Sequence, residues 1–175
     1  MNVLEVPTRL GVVTLREERG VLWGIDLPRP LPGDRGSDGH PLPGGRGSEC
    51  GAGAWLGQLA VAIQAHLSGQ PVTYTLPPLP PLPPFQRDIL TALFAIPWGH
   101  TTTYGALADA AGHPGAARAV GNVMAHNPWP LLFPCHRVLA AGGHLGGFSG
   151  GLDLKVKLLQ LEGALTAAPG PLFKA

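Results

Sequence analysis

The sequence predicts an α+β fold, with a small antiparallel sheet and one covering helix followed by a mostly helical second half. Three features of the chain indicate this. Strand-forming residues are concentrated in the first 27 positions, apolar residues recur at helical spacing from Ala54 onward, and six prolines fall within residues 77–84. We therefore expect two domains of different character.

The composition restricts the class of protein. Of the 175 residues, 45% are hydrophobic and 13% are charged, which is typical of a folded globular chain rather than a disordered one. No apolar run approaches the roughly 18 residues that span a bilayer, and the first residues lack a secretory pattern. The net charge of +1 neither indicates nor excludes nucleic-acid binding.

The two cysteines, Cys50 and Cys135, are far apart in sequence. They form neither a disulfide framework nor a zinc-ligand spacing, so we expect a reducing, cytoplasmic setting. Cys50 lies in a glycine-rich stretch, and we interpret it as incidental. We also expect a monomer that uses no metal and no cofactor.

Three short runs in the first half predict a β-meander. They cover residues 3–6, 12–15 and 21–27 and are separated by turn-forming residues. A helix is expected from Ala54 to Ser68, because its apolar residues share one face and Gly69 follows as a C-terminal cap. Together with an extended piece from Val72 to Leu76, these elements form a predicted N-terminal α/β domain over residues 1–76.

Three stretches are predicted to be irregular. Residues 28–53 are almost all Gly, Pro, Arg, Asp and Ser, and we expect a mobile loop there. Residues 77–84 predict a polyproline II linker rather than a proline-recognition ligand, since folded sequence is expected on both sides. Residues 165–175 are interpreted as a frayed tail.

The second half, residues 85–164, predicts a mostly helical domain. An apolar stripe indicates a helix from Phe85 to Phe94, and two alanine-rich helices follow at residues 104–111 and 116–126, the first capped by Thr103. The glycine-containing turn between them fits a helix-turn-helix that contacts DNA and equally fits an ordinary helical hairpin. A strand at 138–140, a glycine-rich segment at 142–151 and a helix at 152–162 complete the domain.

Cys135 is a candidate nucleophile within the segment Phe133-Pro134-Cys135-His136-Arg137-Val138. Only the thiolate is nucleophilic, and a reference pKa near 8.5 leaves little of it at neutral pH, so a base such as His136 is needed. An isolated Cys-His dipeptide is, however, more often a small buried hydrophobe beside a histidine. In an extended segment the two side chains would point to opposite faces, so their contact would need a bend or a bridging water.

A histidine works best as a base when a carboxylate holds its far nitrogen. The second half offers four candidates for that carboxylate, and their spacing alone does not choose among them: Asp88, Asp109, Asp153 and Glu162.

Several motifs of the second half resemble one known family. They are Ile96-Pro97-Trp98-Gly99, Thr103-Tyr104-Gly105, Arg118-Ala119-Val120-Gly121, Asn127-Pro128, Pro134-Cys135-His136-Arg137-Val138, Gly147-Phe148-Ser149-Gly150-Gly151, Lys155 and Glu162-Gly163. In this order they resemble the O6-alkylguanine-DNA alkyltransferases, whereas residues 1–76 resemble that family only in architecture. The resemblance implies a ribonuclease H-like first domain and a winged helix-turn-helix-like motif in the second.

The resemblance implies a DNA repair protein that flips O6-alkylguanine out of duplex DNA and moves the alkyl group irreversibly to Cys135, in a single turnover. It implies that His136 takes the thiol proton through a water and that Glu162 orients His136. Asn127 would connect the turn after the recognition helix, residues 116–126, to the segment that contains Cys135. Tyr104 would donate a proton to N3 of the leaving guanine. O4-alkylthymine is a second candidate lesion, which the sequence does not decide.

The resemblance also implies DNA contacts and a base pocket. Arg118 would fill the gap that the flipped nucleotide leaves, and the implied DNA-contacting set is Arg118, Ala119, Gly121, Thr103 and Tyr104. The carbonyls of Cys135 and Val138 would read the exocyclic amine of the base, and the amide of Ser149 would donate toward O6. The implied pocket set is Met124, Pro134, Val138, Phe148, Ser149 and Lys155.

The chain departs from the family at Phe148, where a tyrosine is usual, and at Ala125 and His126, which make the end of the recognition helix less basic. Two other functions are compatible with parts of this sequence. The first is a non-catalytic damage sensor, although the related alkyltransferase-like proteins carry tryptophan at the position of Cys135. The second is a Cys-His-Glu hydrolase, which predicts repeated turnover rather than a single equivalent of product.

Overall fold

The computed structural model describes residues 1–28 and 54–165. The chain divides into two units, Met1–Pro80 and Pro81–Ala175. The predicted α+β class is confirmed by the element order. The predicted loop at 28–53 and tail at 165–175 lie outside the described residues, except for Pro28 and Leu165. Within the described ranges, no helix has both the length and the apolar character needed to cross a membrane.

The first unit contains the predicted antiparallel meander. Its strands β1 (Asn2–Thr8), β2 (Gly11–Glu18) and β3 (Val21–Asp26) lie in the order β1-β2-β3. The register pairs Val6 with Val13 and Leu15 with Ile25, so alternate apolar residues share the buried face, as the period-two pattern requires. Helix α1 (Ala54–Leu67) contacts β1 and buries its own apolar stripe, which consists of Leu56, Leu59, Ile63 and Leu67.

The end of the first unit is irregular. The predicted extended piece Val72–Leu76 forms no strand, and no helix or strand is assigned over residues 70–83. The backbone of this stretch is nevertheless held in place, because the amide of Leu22 in β3 donates to the carbonyl of Pro78 at 2.8 Å. The predicted cap is confirmed at Gly69, whose φ of 80° lies in the left-handed region that ends many helices.

The second unit contains the remaining helices of the described chain. They are α2 (Pro84–Phe94), α3 (Tyr104–Ala110), α4 (Ala117–Ala125) and α5 (Leu152–Leu161). Pro84, which the sequence places in the linker, is helical, because a first-turn proline loses no helical hydrogen bond. The core is formed by α2, α3, α4, α5 and the segment between α4 and α5, and its members include Ile89, Leu93, Leu107, Val120, Trp129, Leu132 and Leu158.

Two short strands, β4 (Thr102–Thr103) and β5 (Val138–Leu139), pair in parallel. This pairing places the start of α3 beside the chain that leaves Cys135. The predicted N-cap of α3 is confirmed, because the Thr103 hydroxyl accepts a hydrogen bond from the amide of Ala106 at 3.2 Å. A turn with positive φ at Gly112 and Gly115 connects α3 to α4. Together these contacts position Tyr104 and helix α4 around the cysteine.

Candidate active site

Cys135 lies in a single 3₁₀ turn, Cys135–Arg137, and not in an extended segment. The reason is local. Pro134 has a ψ of 67° and starts the turn, and its carbonyl accepts the amide of Arg137 at 2.9 Å. Contact between the side chains of Cys135 and His136 was expected to need a bend or a bridging water. The turn provides such a bend in the backbone. All of residues 131–138 are buried.

His136 and Glu162 form a buried pair, as the resemblance implied. Nε2 of His136 lies 2.8 Å from Oε1 of Glu162, and neither side chain is exposed. The other carboxylates that the sequence offered lie elsewhere: Asp88 pairs with His113 at 3.1 Å, and Asp109 and Asp153 are exposed. Glu162 reaches the histidine because it caps the C-terminal end of α5, directly after the last helical residue.

Arg137 is a site residue that the sequence interpretation did not single out. Its Nε donates to Oε2 of Glu162 and its Nη2 donates to Oε1, both at 2.8 Å. Its Nη1 donates to the carbonyl of Ile96 at 2.6 Å. A signal was present in the sequence, since an arginine within an otherwise apolar run is buried only when its charge is paired.

Asn127 joins the end of α4 to the cysteine segment. Its Nδ2 donates to the carbonyl of Phe133 at 2.9 Å, and its Oδ1 accepts the amide of Trp129 at 3.1 Å. Its side chain also hydrogen-bonds the thiol of Cys135. A single buried amide therefore fixes both the loop before the nucleophile and the nucleophile itself.

The Cys135 side chain is 4% exposed. Burial raises the pKa of the thiol, because an apolar environment disfavours the thiolate. Three weaker effects act in the opposite direction: the hydrogen bond to Asn127, the charge of Lys155, and the backbone amides of Cys135 and His136. The resting group is thus a neutral thiol, and the transfer of its proton requires a base.

A cavity of about 210 Å³ opens beside the thiol. Its lining is mainly apolar and includes six of the predicted site residues and two others, Ala125 and Gly147; the predicted six are Tyr104, Gly121, Met124, Cys135, Phe148 and Ser149. Pro134, Val138 and Lys155, which were predicted for the pocket, are not part of this lining. The ring of Phe148 also meets the ring of His136 edge to face, with centroids 6.3 Å apart.

Tyr104 faces the same cavity from the first turn of α3. Burial and the negative charge of a Cys135 thiolate both raise the pKa of its phenol, and a hydrogen bond with the Gly147 backbone opposes this. The hydroxyl is therefore protonated and able to donate at neutral pH. Gly146 packs against it closely, since a Cβ at that position would lie 3.1 Å from the Tyr104 oxygen.

Lys155 has a different place from the predicted one. It is completely buried in α5, and its Nζ donates to the carbonyls of Val138 at 2.7 Å, Gly147 at 3.3 Å and Leu145. Burial lowers its pKa to about 8. Lys155 therefore acts behind the cavity wall, where it holds β5 and the glycine-rich segment together and supplies a positive charge near the thiol.

Helix α4 has one buried and one exposed face. Val120 and Met124 are buried, whereas Arg118 and Ala119 are exposed. The Thr103 hydroxyl is engaged in the cap of α3. The structure thus brings Gly121, Met124 and Tyr104 to the cavity and leaves Arg118 and Ala119 on the open side of the helix.

Comparison with known proteins gives consistent matches. Residues 84–164 match the family model described as the DNA binding domain of 6-O-methylguanine DNA methyltransferase. A methylated-DNA–protein-cysteine methyltransferase of Mycobacterium bovis is 48% identical over 111 residues, which are 63% of this chain and 67% of that protein. One of Methanosarcina acetivorans is 41% identical over 102 residues, 58% of this chain and 65% of that protein.

Solved structures match over a longer part of the chain. The Mycobacterium tuberculosis OGT in complex with DNA superposes with a TM-score of 0.68 at 34% identity, over 91% of each chain. The O6-methylguanine-DNA methyltransferase of the hyperthermophilic archaeon Pyrococcus kodakaraensis gives a TM-score of 0.52 at 25% identity, over 92% of this chain and 98% of that one. The structural likeness therefore includes the first unit, where the sequence motifs are weakest.

Proposed function

This chain belongs to the methylated-DNA–protein-cysteine methyltransferase family, and we propose that it repairs duplex DNA by moving the alkyl group of O6-alkylguanine to Cys135. The observation that carries the proposal is the position of the Cys135 thiol, which lines an apolar cavity on one side of a buried His136–Glu162 pair. A cavity beside a nucleophile is what an enzyme needs if it acts on a base flipped out of the stack.

The first step is loss of the thiol proton. Because burial raises the pKa of Cys135, the proton must pass to a base during the reaction rather than to bulk solvent. His136 is that base, acting through a bridging water, and Glu162 holds its far nitrogen. The positive charge of Lys155 favours the thiolate as it forms.

The second step is direct displacement. The thiolate sulfur attacks the alkyl carbon, a sulfur–carbon bond forms, and the carbon–O6 bond breaks with its electron pair moving to the guanine. Tyr104 gives its proton to N3 of the leaving base, and the Ser149 amide donates toward O6, so that the developing negative charge is stabilised. The carbonyls of Cys135 and Val138 read the exocyclic amine. Cys135 then carries a thioether, which has no ready route back to a thiol.

DNA is engaged by α4. Its small residues Ala119 and Gly121 allow the helix backbone to approach a groove closely, and exposed Arg118 fills the space of the flipped nucleotide. Thr103 and Tyr104 complete the predicted DNA-contacting set, while the side chains of Pro134 and Val138 support the base pocket from behind its lining. The described part of this unit has few exposed arginines and lysines, so we expect modest, salt-dependent affinity.

We also propose the finer features of the fold that the resemblance implied. The first domain, residues 1–76, is ribonuclease H-like, residues 77–83 are a linker, since Pro84 already begins α2, and α3 and α4 form a winged helix-turn-helix-like motif in the second domain at 84–164. The three-stranded sheet with α1, the α3–α4 pair and the unit division after Pro80 support this. A structure of the protein on DNA tests it, since α4 must lie in a groove.

The protein is further proposed to act as a cytoplasmic monomer. Two widely separated cysteines and a nucleophile that must remain a free thiol support a reducing compartment. Light scattering of the purified protein and fractionation of the cells that make it test the two parts separately.

Intact-mass analysis after incubation with a duplex that contains O6-methylguanine tests the proposed function. We expect the wild type to gain one methyl group on the Cys135 peptide, and Cys135→Ser to gain none while it still binds the duplex. Titration of lesion against protein must stop at one equivalent. More than one demethylated lesion per protein molecule, or an unchanged mass, would show that the proposal is wrong.

A further inference from the structure

Each of the three nitrogens of the Arg137 guanidinium donates a hydrogen bond within the active site. Both of its contacts to Glu162 measure 2.8 Å, and its third nitrogen donates to the carbonyl of Ile96 at 2.6 Å. The residue is 6% exposed, and Glu162 is 4% exposed. A side chain with this burial and these partners is unavailable for contact with DNA phosphates.

Arg137 fixes the orientation of the Glu162 carboxylate. Oε1 accepts from both His136 and Arg137, and Oε2 accepts from Arg137. A paired, two-point contact defines the plane of a carboxylate in a way that a single hydrogen bond does not. The direction in which Oε1 faces His136 is therefore set by the arginine.

Arg137 also supplies a charge. A buried carboxylate without a cation tends to take up a proton, because an apolar environment disfavours its ionised form. The two-point contact with the Arg137 guanidinium favours the ionised form of the Glu162 carboxylate, and that form accepts a hydrogen bond from His136. Only with His136 as the donor at Nε2 is the other ring nitrogen able to act as a base.

The contact with Ile96 connects the pair to the loop between α2 and β4. Ile96 follows α2, and the chain from Ile96 leads through β4 to Tyr104 at the start of α3. Strand β4 pairs with β5, the strand that begins directly after Arg137. The same loop also lies against the end of α5, since a Cβ on Gly99 would be 2.9 Å from the Glu162 carbonyl oxygen.

We propose that Arg137 is a positioning residue for alkyl transfer: it holds Glu162 ionised and aimed at His136, and it anchors the loop that leads to Tyr104. This proposal rests on the proposed function. It assigns to Arg137 a part in the chemical step and none in the binding of DNA.

The test is a single-turnover rate measured with excess protein over a methylguanine duplex, with the dissociation constant measured separately in a Cys135→Ser background. Arg137→Gln is expected to lower the rate constant at saturation by roughly 10 to 100-fold, because a mispositioned His136 loses part of its contribution as a general base. The affinity for the duplex should be unchanged within about twofold. Arg137→Lys keeps the charge without the two-point contact, and its rate should fall between those of Arg137→Gln and the wild type.

A double-mutant cycle separates this role from a merely structural one. If Arg137 acts through Glu162, Arg137→Gln should cause little further loss of rate in a Glu162→Gln background. Full additivity of the two losses, equal losses of rate and affinity, or a wild-type rate for Arg137→Gln would overturn the proposal. Should Arg137→Gln not fold, Arg137→Lys is compared by the same criteria.

Arg16→Lys is the matched control, because Arg16 forms an exposed ion pair with Asp26 in the first unit. Its rate and affinity should equal those of the wild type.

The result for the wild-type protein in the same experiment distinguishes the proposed role of Arg137 from the proposed function. If it gains a methyl group and Arg137→Gln does so equally fast, only the role of Arg137 is wrong. If the wild type gains none, the proposed function is wrong and the role of Arg137 falls with it.

Discussion

Lys155 donates a hydrogen bond to the carbonyl of Val138 at 2.7 Å from a position with no solvent exposure. Two further carbonyls, those of Leu145 and Gly147, accept from the same nitrogen. The cost of burying an ammonium group is thus offset only in part, and burial lowers its pKa to about 8 from the ordinary 10.5.

Stability should depend on pH through Lys155. Between about pH 8 and 10.5 the unfolded chain retains a proton that the folded protein has lost, so the free energy of unfolding rises with pH in this window. Relative to Lys155→Met, we expect the lysine-containing protein to gain about 3 kcal/mol across it. Urea denaturation at a series of pH values measures the difference.

Both proteins in this comparison carry Cys135→Ser, so that the thiol does not titrate in the same range. Losing the attraction of a thiolate lowers the pKa of Lys155 further, which extends the window below pH 8 without changing its sign. A difference between the two proteins that is constant from pH 7 to 10.5 would contradict the lysine assignment.

Reactivity of the Cys135 thiol should increase steeply at high pH. Burial raises the pKa of this thiol above its ordinary value, so the thiolate fraction is small at neutral pH and grows only as pH rises through the folded-state pKa. Alkylation by iodoacetamide in a Cys50→Ser background, followed by mass spectrometry, measures this. Free cysteine is the reference, and a rate for Cys135 that levels off below pH 8 would be inconsistent with the raised pKa.

Tyr104→Phe should slow transfer and spare DNA binding, because phenylalanine keeps the ring of this proposed DNA-contacting residue and removes only its hydroxyl. The phenol lines the cavity, and burial raises its pKa, so it remains a donor over the working pH range. Loss of one donor to the leaving group is expected to lower the single-turnover rate by about 10²-fold, with an unchanged dissociation constant for the duplex. An unchanged rate would exclude Tyr104 as the proton donor.

Gly146→Ala should affect transfer by moving Tyr104. Its φ of 65° is unfavourable for alanine, and the added methyl would lie 3.1 Å from the phenol oxygen. Gly143→Ala is the matched control, with a φ of 79° and no atom within 4 Å of the added Cβ. Both variants should lose about 1 kcal/mol of stability, but only Gly146→Ala should lose transfer rate. Equal rates in the two variants would show that the phenol moves aside freely.

Periodic elements were predictable because each repeats its signal over several turns. The helix predicted from Phe85 to Phe94 begins one residue earlier in the structure, at Pro84. The helix predicted over residues 152–162 ends one residue earlier, at Leu161. Thr103 and Gly69 were recognised from the chemistry of helix caps, which needs only one residue type at one position. Such local signals survive folding largely unchanged.

The geometry of the site could not be predicted from local sequence patterns. The turn at Cys135–Arg137 depends on a few local backbone hydrogen bonds around Pro134, and β4 and β5 are two-residue strands with no periodicity to detect. The partner of His136 came from the resemblance, since spacing left four carboxylates open. Arg137 and Lys155 show a general signal, because each is a cation in an apolar setting whose partner is distant in sequence.

The shielding of Cys135 also bears on its survival before use. A thiol that is 4% exposed and has a raised pKa reacts slowly with peroxides, since oxidation requires an accessible thiolate. A nucleophile that serves only once must outlast the periods in which no lesion is present. The same burial that makes a base necessary for the reaction thus keeps the Cys135 thiol reduced for longer under oxidative stress, before the protein meets a lesion.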